Sequence, residues 1–470
     1  MAIDQVHIKV EDLTVGMFVS RLDRPWSQTP FSLQGFYIRT GEDIQKLKAY
    51  CSTVYIDVSK GRGHLDAGLV APDPVQRPAQ AVRSGLSVAP LDSAARRRAE
   101  GQPPAAIEIQ QDVYSTAVPL RMEAIRAEKI ISLLKGQLTL ATRQIAKGRP
   151  LDYPALTRCS EDMVDSVLRC PDAMTWLLRL RRTDRHSHGH SLRCALWAVQ
   201  YARFVGMPKS EIIVLCLGTL LKDVGKTRLP RELLHKPRRS PEEEHEYRQF
   251  VAYGVELLRA TNTIEPQVIA VVRYHCERMD GSGFPEGEAG NRIPLLARIA
   301  GIASVYDAIS NPREALEPVA PSRAVSLLYG MRGNAFQEDL VVSFIQSVGL
   351  YPSGTLVELN TGDLGVVLDQ NPGSRLAPRV AVLSRWEESL NGEAVIIDLK
   401  EQAQSRQLLI DSGRDNIIGI PRVAIARDLE PTGYDIDFEK ISLGFIKGLG
   451  DQRPEIKSGL LSRLKERLRG

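Results

Sequence analysis

A ten-residue apolar run, from Ile212 to Leu221, ends directly in the charged pair Lys222-Asp223. Because a membrane-spanning helix needs ~20 apolar residues, this run predicts a helix buried in a folded core. A carboxylate at the inner end of such a helix requires a cation or several hydrogen-bond donors. The run therefore predicts a helical domain with a charged or metal-binding centre.

A second apolar segment, from Val268 to Tyr274, also ends in residues that can bind a metal or a ligand. The residues that follow are His275-Cys276-Glu277-Arg278-Met279-Asp280-Gly281-Ser282-Gly283-Phe284-Pro285. Glycines allow the backbone to approach a ligand closely, and Phe284 offers an aromatic face for stacking. A structural turn that only terminates the helix is the alternative explanation.

The rest of the chain predicts a multidomain fold with a small α+β N-terminal module, an all-α helical bundle and a small β-rich C-terminal module. A length of 470 residues favours several domains. The boundaries follow from changes of pattern: α+β module 1–60, a flexible Pro-, Gly- and Arg-rich linker 61–111, bundle 112–348, β module 349–425, and a C-terminal tail 426–470.

Two apolar stripes leave alternatives open. The first long helix carries heptad-like Ile131, Leu134, Leu138, Ala141 and Ile145, which suit either a homodimer seam or packing inside the domain. The tail contains a basic amphipathic helix that includes Ile456 and Leu468, which suits docking onto the protein or binding to an acidic membrane surface.

Charge and composition narrow the functional classes. The net charge of +4 is too small to indicate nucleic-acid binding, and the run Arg96-Arg97-Arg98 is typical of a solvated linker. The N-terminus shows no signal peptide, and no apolar stretch is long enough for a transmembrane segment. Six cysteines without paired spacing are typical of a cytoplasmic protein.

Three motifs together resemble the bacterial HD-GYP family: Asp184-(five residues)-His190-Ser191, Leu220 to Lys226, and Asp280-Gly281-Ser282-Gly283-Phe284-Pro285. The last motif matches Asp-Gly-x-Gly-Tyr-Pro, with Phe284 in place of tyrosine. The N-terminal segment is similar to the small domain that often precedes HD-GYP domains, for example at Asp12-Leu13-Thr14-Val15-Gly16-Met17. The resemblance implies that the helical bundle is of the HD type.

Members of that family hydrolyse cyclic di-GMP at a site of two or three metal ions, so the resemblance implies metal ligands at matching positions. Those that survive here are His190, Asp223 and His275, with Cys276 as a soft donor in place of a histidine. Other ligand positions are changed to Lys222, Phe250 and Ser304. Asp307, three residues after Ser304, is expected to lie on another face of its helix.

These changes predict either no metal or one divalent ion (iron, manganese or zinc), and they argue against a full two-metal site. Asp223 and Lys226 are then vestigial catalytic residues. Because a lysine ammonium repels metal ions, Lys222 is expected to neutralise Asp223 and to put one fixed cation in the place of a metal.

The resemblance favours a non-catalytic sensor or adaptor in cyclic di-GMP signalling. The alternative is a metal-dependent cyclic di-GMP phosphodiesterase with a reduced metal site. The expected partners are cyclic di-GMP and a cyclic di-GMP synthase or another signalling protein. The candidate ligand-binding residues are Lys222, Lys226, Arg278, Asp280, Gly281, Gly283, Phe284 and Pro285.

Overall fold

The computed structural model describes residues 5–14, 17–24, 36–38, 41–57, 104–110, 113–180, 187–236, 238–312, 319–371, 374–383, 395–411 and 423–430. The chain divides into two compact units. One contains the N-terminal sheet. The other contains the helical bundle and the C-terminal sheet, which confirms the multidomain fold class in outline.

The N-terminal unit is a small antiparallel sheet with one helix, which agrees with the predicted α+β module. Its strands lie in the order β1-β4-β2-β3. Val19, Leu47 and Val54 are fully buried in its core, which joins the sheet to the helix. The elements are β1 (Gln5–Lys9), β2 (Phe18–Leu22), β3 (Phe36–Tyr37), α1 (Gly41–Tyr50) and β4 (Thr53–Asp57).

The second unit begins with a bundle of helices joined by short connections. They are α2 (Leu120–Ala146), α3 (Tyr153–Arg169), α4 (Pro171–Leu180), α5 (Ser187–Val205), α6 (Lys209–Leu221), α7 (Arg231–His235), α8 (Pro241–Arg248), α9 (Phe250–Ala260), α10 (Pro266–Tyr274), α11 (Leu295–Ser310), α12 (Pro321–Gly330) and α13 (Glu338–Val348). Short 3-10 turns span Val224–Arg228 and Gly290–Arg292.

Helix α6 is the central element of this bundle, as its apolar sequence predicted. From Leu215 to Leu221 every residue is buried, and the helix packs against α5 and α10. At Gly218 an added Cβ would stand 2.5 Å from the Cβ of Val271, so glycine is required for the close approach of α10. This packing places the end of α6, with Lys222 and Asp223, inside the domain.

The heptad-like stripe of α2 belongs to the core of its own domain. Ile131, Leu134, Leu138, Ala141 and Ile145 are all buried, and α2 packs on α3 and α4. Of the two alternatives left open by the sequence, the stripe therefore serves packing inside the domain. The apolar residues that α2 exposes, such as Leu133 and Leu140, lie on its other side.

The C-terminal module is a five-stranded antiparallel sheet in the order β8-β7-β6-β5-β9. The sheet confirms the predicted β-rich module, and it also includes a helix, α14. Asp428 on β9 accepts hydrogen bonds from the backbone and hydroxyl of Ser322 on α12, so the sheet is fixed to the bundle. The elements are β5 (Leu356–Leu359), β6 (Leu364–Asp369), β7 (Arg379–Val382), β8 (Ile396–Asp398), α14 (Leu399–Asp411) and β9 (Ile425–Asp428).

The predicted linker and tail fall mostly outside the described residues. Within 61–111, residues 104–110 are described, and there Gln110 N donates a hydrogen bond to Val205 O. The amphipathic helix predicted at 456–468 lies outside the described residues. Among the helices that the structure describes, none has the length and apolarity to cross a bilayer.

Candidate functional site

Four helices bring their polar residues to one buried centre. His190 lies near the start of α5, Lys222 and Asp223 follow α6, and His275 follows α10. The centre also receives Asp307 from α11. The apolar runs of α6 and α10 bury these polar residues because each run ends where the backbone turns inside the domain.

Asp223 is held by two lysine ammonium groups, one at each carboxylate oxygen. Lys222 Nζ lies 2.5 Å from Oδ2, and Lys226 Nζ lies 2.5 Å from Oδ1. The Ser191 hydroxyl donates a longer hydrogen bond of 3.3 Å to Oδ2. Lys222 is only 1% exposed, so its charge is compensated inside the protein and not by water. The expected contact between Lys222 and Asp223 is present.

The charges of this group reinforce one another. Burial alone would raise the pKa of Asp223, but Lys222 and Lys226 hold it well below its usual range. Burial alone would lower the pKa of Lys222, but the negative charge of Asp223 raises it above its usual value. Both groups are therefore charged at neutral pH, and Lys222 has no lone pair to offer a metal.

His190 is held by Asp307, which the sequence analysis wrongly placed on another helix face. Its Nδ1–H donates to Asp307 Oδ2 at 2.7 Å, and Asp307 is completely buried. Residues three apart on a helix lie on neighbouring faces, so Asp307 remains on the side of Ser304. The i, i+3 spacing was the signal that should have identified Asp307.

Arg193 is a second residue of the centre that sequence reasoning missed. Its guanidinium donates to both oxygens of Asp307, at 2.8 and 3.2 Å. Together with burial, Arg193 and His190 set the pKa of Asp307: burial raises it, but the two partners lower it to about 2. Burial and then the charge of Lys222 lower the pKa of His190 to about 4, so its imidazole is neutral at pH 7.

His275 is oriented in a similar way by the backbone. Its Nδ1–H donates to Val272 O at 2.7 Å, and the residue is only 3% exposed. Burial and then the positive charge of Lys222 lower the pKa of His275 to about 3. Both rings therefore use Nδ1 for a fixed hydrogen bond, which is how metal-ligating histidines are commonly oriented.

Phe250 forms an aromatic cluster beside His275. The Phe250 ring lies 5.9 Å from the His275 ring and 6.1 Å from the Phe284 ring, both edge-on. Lys226 Nζ lies 4.7 Å from the centre of the Phe250 ring, within range of a cation–π interaction. Since Phe250 is 3% exposed, an apolar ring fills the space beside the histidine.

Two known domain families match parts of this chain. Residues 178–340 match the HD domain, and residues 5–156 match a domain of unknown function, DUF3391. The chain contains an HD domain at residues 178–340. The matched HD region contains every residue of the centre, from His190 to Asp307.

The HD-domain chain resembles several curated bacterial proteins. It is 29% identical over 405 residues to a cyclic di-GMP phosphodiesterase of Pseudomonas aeruginosa, covering 86% of this chain and 91% of that protein. It is 33% identical over 160 residues to the 3'3'-cGAMP-specific phosphodiesterase 2 of Vibrio cholerae, covering 34% of this chain and 31% of that one.

A solved structure is also similar to the HD-domain chain, an HDG"Y"P protein from Bdellovibrio bacteriovorus. The two are 16% identical with a TM-score of 0.42, over 73% of this chain and 99% of that chain.

The Asp280–Pro285 loop of the HD domain is a tightly built turn. Asp280 Oδ1 accepts a hydrogen bond from Ser282 N, and Gly281 has a φ of 75°, which favours glycine. At Gly283 an added Cβ would stand 2.4 Å from Arg278 N. The loop therefore needs its glycines for its own shape, whether or not it also contacts a ligand.

Arg278 is engaged within the loop rather than at an open surface. Its guanidinium donates to His275 O and to Glu277 O, and it lies 4.9 Å above the Phe336 ring. Because these bonds use one of its terminal nitrogens, the structure assigns Arg278 at least a structural role. Phe284 is half-buried and lies under Arg248, at 5.2 Å.

The donor set of the HD centre can be compared with the needs of a metal. His190, Cys194 and Asp307 place one ligand atom each within 4.8 Å of one another. However, Asp307 is already bound to Arg193, and burial raises the pKa of Cys194 to about 12. Its sulfur lies nearly equally far from both nitrogens of the His190 ring, at 3.6 and 3.5 Å, which is not a coordinating arrangement.

The metal ligands predicted from the sequence (His190, Asp223, His275 and Cys276) are also partly engaged in other interactions. Burial raises the pKa of Cys276 to about 11, and both oxygens of Asp223 are ion-paired. Only the imidazoles of His190 and His275 remain as neutral donors in this set. The residues in their present arrangement therefore do not fit a pair of divalent ions.

Proposed function

We propose that this HD-domain chain acts in cyclic di-GMP signalling as a non-catalytic sensor or adaptor. One observation carries the proposal. Asp223, the carboxylate among the candidate metal ligands, has an ammonium group 2.5 Å from each of its oxygens. Hydrolysis by paired metals needs carboxylate oxygens that coordinate the ions which activate water and stabilise the leaving oxygen.

The similarity to a cyclic di-GMP phosphodiesterase over most of the chain supports the choice of nucleotide. Other relatives are named for 3'3'-cGAMP, so the class of ligand is a cyclic dinucleotide. The six cysteines, all of them free thiols, suit a cytoplasmic location, where thiols stay reduced.

The ligand surface that we propose lies around Lys226 and the Asp280–Pro285 loop. Lys226 is 15% exposed and lies beside the aromatic rings of Phe250 and Tyr247. A lysine next to aromatic faces can meet a phosphate while a base stacks nearby. The same loop is a candidate contact for a cyclic di-GMP synthase, in keeping with the resemblance to HD-GYP proteins.

Hydrolysis is tested by incubating the purified chain with cyclic di-GMP and either Mn²⁺ or Fe²⁺, followed by chromatography of the products. The Pseudomonas aeruginosa relative serves as the positive control. We expect cyclic di-GMP to remain intact when the control has converted it. Rapid appearance of linear dinucleotide or GMP would contradict the non-catalytic role.

Ligand binding is tested by calorimetric titration with cyclic di-GMP. We expect binding by the wild-type chain, and binding about tenfold weaker in Lys226→Met, because a charge-assisted phosphate contact is lost. Lys209→Met is the matched control, since Lys209 is 48% exposed and pairs with Asp165 away from the centre. Absence of heat and of any thermal shift at high ligand concentration would eliminate the sensor and favour a protein–protein adaptor.

A hydrolase with a reduced metal site is the second candidate, and one observation favours it. His190 and His275 both fix Nδ1 by a hydrogen bond, which leaves Nε2 as the coordinating atom. Metal-dependent hydrolysis lost in a His190→Ala variant would support this candidate.

A further inference from the structure

We propose that Lys222 replaces a divalent ion in this HD centre, so that the domain keeps its charged core without metal and excludes metal while Lys222 stays in place. The inference goes beyond the signalling role, because it concerns what holds the centre together. It stands whether or not cyclic di-GMP binds.

The position of the ammonium group is the first support. Lys222 Nζ lies 2.5 Å from Asp223 Oδ2, and the whole side chain is 1% exposed. Ser191, the neighbour of His190 in sequence, donates a hydrogen bond to the same carboxylate oxygen at 3.3 Å. The ammonium group therefore lies directly against one of the two oxygens with which Asp223 would coordinate a metal ion.

The second support is the balance of charge. Lys226 binds the other oxygen of Asp223, so the carboxylate is already compensated by two positive charges. A divalent ion placed on Asp223 would face both ammonium groups at close range in a poorly solvated interior, where such repulsion is only weakly screened. Metal and Lys222 are thus mutually exclusive occupants.

The third support is the packing around the centre. Phe250 fills the space beside His275, and the Lys226 ammonium lies over the face of the Phe250 ring. Phe250 itself packs with Leu229, Leu233 and Val251 in one buried cluster. Lys226 is therefore fixed by packing as well as by its ion pair with Asp223.

A double-mutant cycle tests the role of the ion pair. Removing one partner of a buried pair leaves an uncompensated charge, whereas removing both is often neutral. We expect Lys222→Met and Asp223→Asn each to lower the melting temperature by on the order of 10 °C. The double variant should recover most of that loss, and Lys209→Met should change little because its ion pair is exposed.

A melting temperature of Lys222→Met equal to that of the wild type would overturn the role of Lys222 as the compensating cation. So would a double variant whose melting temperature falls by the sum of the two single decreases. If Lys222→Met does not fold, Lys222→Gln replaces it, since glutamine is uncharged but polar. The rise in melting temperature when Asp223→Asn is added to that variant then measures the coupling between the two residues.

Metal itself provides the second test. The melting temperature of the wild-type chain should not change when EDTA, Mn²⁺ or Zn²⁺ is added. In Lys222→His, which removes the competing charge and adds an imidazole, Zn²⁺ or Mn²⁺ should raise the melting temperature and remain bound after gel filtration. A wild-type chain that loses stability with EDTA would overturn the proposal.

These readouts are separate from the signalling proposal. A wild-type chain insensitive to metal that also fails to bind cyclic di-GMP would remove the sensor and leave the role of Lys222 intact. A chain that binds the nucleotide but depends on metal for its stability would remove the role of Lys222 and leave the sensor proposal intact.

Discussion

Asp223 and Asp307 are buried carboxylates of the same HD centre, and both are compensated by cations, but in different ways. Asp307 is held by the rigid guanidinium of Arg193 and orients His190. Asp223 is held by the ammonium groups of two lysines close to it in sequence. Asp307 therefore positions a histidine, whereas each oxygen of Asp223 is ion-paired with a lysine.

The largest effect should come from removing the anchor of His190. Asp307→Ala leaves Arg193 without its ion partner in the interior, which should lower the free energy of unfolding by about 3–5 kcal/mol. Urea denaturation measures the loss. Asp165→Ala is the control, since its pair with Lys209 is exposed and should matter little. Equal losses in the two variants would remove the special role of Asp307.

The two imidazoles predict how stability depends on pH. The pKa of His190 is lowered to about 4 and that of His275 to about 3, both below the unfolded value of ~6.5. Between pH 6.5 and 4 the unfolded chain binds protons that the folded chain does not, so stability falls as the pH falls. Each histidine contributes up to about 1.4 kcal/mol per pH unit.

This acid sensitivity is measured by urea denaturation at several pH values. His190→Gln should make the slope smaller, because His275 is then the remaining imidazole of the centre with a lowered pKa. A free energy of unfolding that is constant from pH 7 to pH 5 would contradict the neutral state of both rings.

Geometry as well as charge matters on the Asp307 side. Arg193→Lys keeps the charge but loses the two-pronged contact with Asp307, which should cost about 1–2 kcal/mol of unfolding free energy. Thermal denaturation measured by circular dichroism checks this value. A variant as stable as wild type would show that charge alone holds Asp307.

The smallest loss of stability is expected for the hydrogen bond that Ser191 donates to Asp223. Ser191 donates a long hydrogen bond of 3.3 Å to Asp223, which already has two ammonium partners. Ser191→Ala should therefore cost about 0.5–1 kcal/mol in urea denaturation. A larger loss would mean that the lysines alone do not compensate the carboxylate.

Local patterns predicted much of the fold. The change of pattern after residue 348 predicted the C-terminal β module, and the apolar run of α6 predicted its burial. Strand β9 was missed because its pairing with β5 joins distant parts of the chain. Such pairing depends on tertiary contacts and leaves little trace in a short exposed strand.

In the candidate site too, contacts between sequence neighbours could be predicted and contacts between distant residues could not. The contact between Lys222 and Asp223 joins neighbours in sequence, so it could be predicted. Arg193 and Asp307 are 114 residues apart, and no local pattern indicates that they meet. The position of Asp307 was accessible from helix geometry and was misjudged.

The metal content of the purified chain tests the central claim most directly. The chain is produced in medium supplemented with manganese, iron and zinc, and bound metal is then measured by mass spectrometry. Occupation of the HD centre by Lys222 predicts well under one metal ion per chain in the wild type and an increase in Lys222→His. Two tightly bound ions per wild-type chain would contradict it.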